Sequence, residues 1–187
     1  MTSNNKVKNY IEESLEGFND EFVQSVCRCF EVLEYSKEPN GCLSNTAALY
    51  ICAKECGYNP EICYGLCELK GRKFYHAWLV VNDTIIDIAI FGNVNYSPYS
   101  LWNFKVETPY IGSYSDSPVH YGKFEFDEGW MDSDISMVEG WTLEKYMNVI
   151  PDDAMWRLTC LFLNKAPSHS YIEHLKSYAK GIKIEKK

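Results

Sequence analysis

Cys42, His76 and Asp87 are the residues of this chain whose types and spacing could do chemistry together. A thiol attacks a carbonyl as its thiolate, so it needs a base to take or share its proton. That base needs an acceptor to fix its tautomer and aim. Cys42 heads the run "CLSNTAALYICAKECG", which is almost wholly apolar from Thr46 to Ala53 and stops at Gly57. The pattern predicts a buried helix with a glycine stop. The free N–H groups and the dipole at such a helix head favour an anion, hence a thiolate. The competing reading is a small buried side chain that only fills space.

The elements that must carry the other two residues follow from the pattern after Gly57. "EICYGLCEL" (61–69), "RKFYHAWLVV" (72–81) and "TIIDIAIF" (84–91) predict three strands, with turns at Gly71 and at Asn82-Asp83. A two-residue turn at Asn82-Asp83 sets Val81 opposite Thr84, Trp78 opposite Asp87 and His76 opposite Ala89. His76 and Asp87 then share a face as diagonal neighbours, roughly 5–8 Å apart at Cβ. A three-residue turn would send Asp87 to the other face.

Around this core, helices are expected at 6–16 and 20–35, with Asn19 capping the second, and at 142–149, 152–164 and 170–180. Pro151 with Asp152-Asp153 marks one helix start, and Ser170 with Glu173 fits a capping box at another. Residues 92–118, rich in Tyr, Ser, Pro and Asn, predict a long ordered loop or lid. "HYGKFEF" (120–126) predicts a further strand and "MDSDIS" an acidic loop. The order of helices, strands and helices gives an α+β class. The length suits one domain over 1–187, with its core at about 40–126.

"GCLSNTAALYICAKECGYNPEICYG" followed by "HAWLVVNDTIIDIA" resembles the core of the transglutaminase-like branch of the papain-like superfamily. The resemblance covers about residues 40–90. It implies a central helix packed on an antiparallel sheet, Cys42 as nucleophile, His76 as general base and acid, and Asp87 as the orienting carboxylate. It implies cysteine-dependent acyl transfer from an amide through a thioacyl intermediate, without a cofactor, and a protein or peptide substrate. Water as acceptor gives a peptidase, amidase or deamidase; an amine gives an acyltransferase. Asn40 is the candidate side chain for the oxyanion, beside the backbone N–H of Cys42. Trp78, Tyr96, Tyr99 and Trp102 are candidates for lining a substrate cleft, with a second small aromatic core as the alternative.

Other readings compete. A non-catalytic interaction module could use the same scaffold with 92–141 as its binding surface. Cys52/Cys56 and Cys63/Cys67 invite a zinc reading, but both pairs fall inside apolar regular elements rather than in a metal knuckle, so no metal is expected. His120 is expected at a strand edge with no carboxylate on a paired strand, and His169 and His174 are expected to be solvated. The charge of −8 and pI near 5.0 argue against nucleic acid and anionic membrane partners. The start "MTSNNKVKN" lacks an apolar segment, and the eight cysteines are then expected to be reduced thiols in the cytoplasm.

Overall fold

The computed structural model describes residues 3–39, 41–97, 102–122, 138 and 140–187. Two helices come first, α1 (Ser3–Ser14) and α2 (Asp20–Ser36). Asn19 caps α2 as expected: its Oδ1 accepts from the Glu21 and Phe22 amides at 2.7 and 3.3 Å. The apolar run then forms α3 (Cys42–Glu55), and Gly57 follows it with a φ of +84°. Apolar residues lie all round α3 because it is enclosed: Ala47, Ala48, Ile51, Cys52 and Ala53 are fully buried.

The sheet follows from β1 (Glu61–Leu69), β2 (Arg72–Val81) and β3 (Thr84–Asp87), joined by tight turns. Asn82 and Asp83 both take positive φ, as the two-residue hairpin turn requires. The pairing is the expected one, with Val81 opposite Thr84 and Leu79 opposite Ile86. β4 (Tyr110–Gly112) and β5 (Val119–Tyr121) complete an antiparallel order β4-β3-β2-β1-β5. β6 (Glu185–Lys186) runs parallel to β1 beside Cys63 and Tyr64. Alternation divides the sheet into two apolar faces. Ile62, Ala77, Leu79 and Ile86 join the core with α2 and α3. Cys63, Cys67, Trp78, Ile85 and Tyr121 form a second core on the other side.

The third strand is shorter than its pattern suggested. β3 ends at Asp87, and Ala89–Tyr96 forms α4. The run "IIDIAIF" is continuous rather than strictly alternating, so it suits a buried helix as well as a strand. Asp87 decides between them, because its Oδ1 accepts the Ile90 amide at 3.0 Å and starts the helix. Residues 92–118 accordingly hold the end of α4 and β4 as well as loop. Of the strand expected at 120–126, Val119–Tyr121 is observed; 123–126 and the "MDSDIS" loop lie outside the described residues.

The chain closes with α5 (Leu143–Met147), α6 (Ala154–Phe162), α7 (His169–Lys176) and a 3₁₀ turn at Ser177–Ala179. α6 packs on α2 and α3. It starts after Asp153, which sits at positive φ and gives no side-chain cap, rather than at Asp152. The cap of α7 is Ser168, accepting from the Tyr171 amide, and not the Ser170/Glu173 box. Among the described residues, no helix is long and apolar enough to cross a membrane.

Candidate active site

The site begins at the edge of β2. The registered pairs of β3 with β2 stop at Leu79, leaving the strand open toward His76. There Thr46, in the first turn and a half of α3, donates its hydroxyl to the Ala77 carbonyl at 3.3 Å. This contact ties the head of the Cys42 helix to the strand position next to His76. Among the described residues no side chain caps that helix head. Its N–H groups therefore keep their capacity to meet an anion.

His76 and Asp87 meet as the register requires. Nε2 of His76 lies 2.8 Å from each Asp87 oxygen, and both side chains are fully buried. The carboxylate has further donors: the Ile90 amide on Oδ1 and the Tyr121 hydroxyl on Oδ2 at 2.7 Å. Tyr121 keeps its proton because burial, and next the Asp87 charge, push its phenol well up. The carboxylate is thus fixed from β5 and α4 as well as from β2.

Nδ1 faces the other way, toward Asn93. Asn93 Nδ2 lies 3.1 Å from Nδ1, and the Cys42 side chain is near enough to the imidazole to raise it. Burial alone pushes the His76 imidazole down. The Asp87 charge and hydrogen bond, joined by those of Cys42, outweigh it and raise the imidazole to about 10. Phe74 packs on the ring at 5.5 Å between centroids, and Trp102 packs edge-on to Phe74 at 5.1 Å. Cys42 itself is 9% exposed.

Tyr146 of α5 stands over the same helix head. Its hydroxyl is 2.9 Å from Ser44 Oγ, and burial followed by the Ser44 bond and the Cys42 charge shapes its phenol. On the far side of the carboxylate, a cleft of about 360 Å³ is lined by Trp78, Tyr121, Tyr114, Glu61 and Lys187 among others. Trp78 is fully buried at its floor and donates its indole N–H to Tyr114 at 2.9 Å.

The structure brings Cys42, His76 and Asp87 together. Asn40 and Tyr99 lie outside the described residues. Trp102 is half-buried on Phe74, and Tyr96 takes a hydrogen bond from Lys37 at 3.0 Å, at the end of α4. His120 is exposed on the face opposite Tyr121; it does have a carboxylate across the strand pair, Glu68, contrary to expectation. His174 is not merely solvated, since its Nε2 lies 2.8 Å from Glu55. Among the described residues no cluster of His, Cys, Asp and Glu is placed to hold a metal ion. Asn93, Tyr121 and Tyr146 are the neighbours that the sequence reading missed. Only Asn93 left a trace there, as a polar residue in an apolar run just after the aspartate strand.

Residues 14–99 match the model of the Transglutaminase-like superfamily. That stretch, which holds Cys42, His76, Asp87 and Asn93, is similar to the superfamily's model. Comparison with curated proteins and with solved structures finds no match.

Proposed function

We propose that the protein is a thiol enzyme that cleaves an amide bond of a protein or peptide, with Cys42 as nucleophile, His76 as base and acid, and Asp87 as the orienting carboxylate. The observation that carries this reading is the buried imidazole held by Asp87 on Nε2, with Cys42 beside it at a helix head. Cys42 Sγ attacks the carbonyl carbon, and the carbonyl electron pair moves onto oxygen. The uncapped N–H groups of α3 are suited to receive that oxyanion. The imidazolium gives its Nδ1 proton to the leaving nitrogen, the C–N bond breaks and a thioester remains. The neutral ring then takes a proton from water, whose hydroxyl adds to the thioester; collapse releases the acid and returns the thiol. With an amine in place of water, the same steps give acyl transfer. A cytoplasmic setting belongs to the same proposal, supported by eight cysteines that are all free thiols.

Selective alkylation tests it. Brief treatment of the native protein with iodoacetamide near pH 6 should label one cysteine, and peptide mass mapping should place it at Cys42. His76→Ala should slow that labelling at least tenfold while the thermal melt shows a folded protein. Labelling first at another cysteine, or a Cys42 that reacts only after unfolding, overturns the reading.

A further inference from the structure

Among the described residues, Asn93 is the remaining polar side chain on the imidazole, and the thiol mechanism gives it no task. Its amide nitrogen lies 3.1 Å from Nδ1, the ring nitrogen left over once Asp87 has taken Nε2. Its backbone is held firmly. α4 is started by Asp87 through the Ile90 amide, so one short segment, 87–93, grips both sides of the ring. Beside Asn93, Gly92 packs so closely on α2 that a Cβ there would lie 2.6 Å from Leu33 and 3.2 Å from the Glu38 carbonyl. Two residues on, Asn95 bonds both the amide and the carbonyl of Val106 at 3.1 and 2.9 Å. The amide of Asn93 therefore has a fixed base from which to turn.

An amide has a donor end and an acceptor end of nearly equal size. Nδ2 faces Nδ1, which suits a neutral ring with its lone pair there. An imidazolium carries a proton on Nδ1 and needs an acceptor instead. We propose that Asn93 is a positioning residue that shares Nδ1 with the Cys42 thiol, presenting its amide oxygen to the imidazolium and its NH₂ to the neutral ring. The ring then stays aimed at the sulfur in both protonation states, including while the thiol is occupied as a thioester and can no longer hold it. The proposal rests on the thiol-enzyme reading for its purpose, but not for its test.

Among the described residues, the groups that bear on the ring are few. Asp87 comes from β3 and Cys42 from α3. Tyr121 from β5 acts through Asp87, and Cys67 from β1 is held as a neutral thiol by burial, with the Asp87 and Cys42 charges adding to it. Against this fixed background the two ends of Asn93 have opposite effects. Removing the amide takes an acceptor from the imidazolium; a carboxylate in its place adds a better one.

The His76 titration should be followed by NMR on histidine-labelled protein, assigned with His76→Gln. Asn93→Ala should lower the His76 midpoint by about half to one pH unit, the amount by which a hydrogen bond to the imidazolium exceeds one to the neutral ring. Asn93→Asp should raise it. The high-pH limb of Cys42 alkylation by iodoacetate, an anion that the imidazolium attracts, should move in the same directions. Midpoints that stay at the wild-type value, or that move the same way in both variants, overturn the proposal. If Asn93→Ala does not fold, the nearly isosteric Asn93→Asp decides alone, and an unmoved midpoint overturns it. A wild-type Cys42 that resists alkylation sinks the thiol-enzyme reading, while the His76 midpoints still decide Asn93.

Discussion

At the scale of single residues, Asp87 carries more of the site than its place in a triad suggests. It accepts from His76, Tyr121 and the Ile90 amide together. Asp87→Asn keeps one acceptor and gains an NH₂ group where acceptors are wanted. If that group faces Nε2, the ring must carry its proton on Nδ1 in the neutral state, the wrong tautomer for a base that serves Cys42. We expect turnover of an amide substrate to fall on the order of 10²–10⁴-fold, measured under single-turnover conditions. The pair also sets a pH dependence. Folding raises the His76 imidazole from 6.5 to about 10. The stability it adds is therefore fully present below pH 6.5 and is lost as pH rises through 10. The urea midpoint of wild type should exceed that of Asp87→Asn most at pH 6, and the gap should narrow by pH 10. A gap that widens with pH would mean that His76 is neutral in the fold.

At the scale of elements, α4 links the two sides of the imidazole, and its seat on α2 depends on Gly92. A methyl group at that position would meet the Leu33 side chain, which can move, and the Glu38 carbonyl, which is backbone. Gly92→Ala should cost about 1–3 kcal/mol through overpacking, read as a drop of the thermal midpoint. Because α4 carries Asn93 and is started by Asp87, the same change should slow Cys42 alkylation; a lowered melt with unchanged alkylation would show that the site does not lean on α4. How much of this was legible follows from the same elements. The hairpin register could be derived because Asn82-Asp83 leaves one tight turn, and side-chain alternation then places His76 and Asp87 on one face. The Cys42 helix was legible from its unbroken apolar run and glycine stop. α4 was not, since "DIAIF" satisfies strand and helix alike until the Asp87 carboxylate is seen to bond the Ile90 amide. With α4 went Asn93, whose use depends on which way that helix turns. Tyr121 and Tyr146 come from distant segments, and no local pattern announces a hydroxyl brought in by tertiary packing.

At the scale of the whole molecule, the thiols make the fold sensitive to alkali. Cys29, Cys52 and Cys160 of the helical core are fully buried, as is Cys67 in the core across the sheet. Burial raises all of these, and it pushes Cys27 and Cys56 up to about 11 from an ordinary value of 9.0. The folded chain thus keeps protons that the unfolded chain releases at lower pH. The sign is the same for each thiol: the stability it adds is complete below the unfolded value and disappears as pH climbs toward the folded one. Denaturant midpoints should fall gently from pH 6.5 to 8, where His76 alone contributes, and then steeply by pH 10. His76 contributes to the same decline but begins to do so at lower pH. The two sources separate by substitution. Cys27→Ala combined with Cys29→Ala, both in α2 and remote in sequence from the site, should make the fall above pH 8.5 shallower and leave Cys42 alkylation at its wild-type rate. A slope as steep as wild type in that double variant would exclude the α2 thiols as a cause of the alkaline transition.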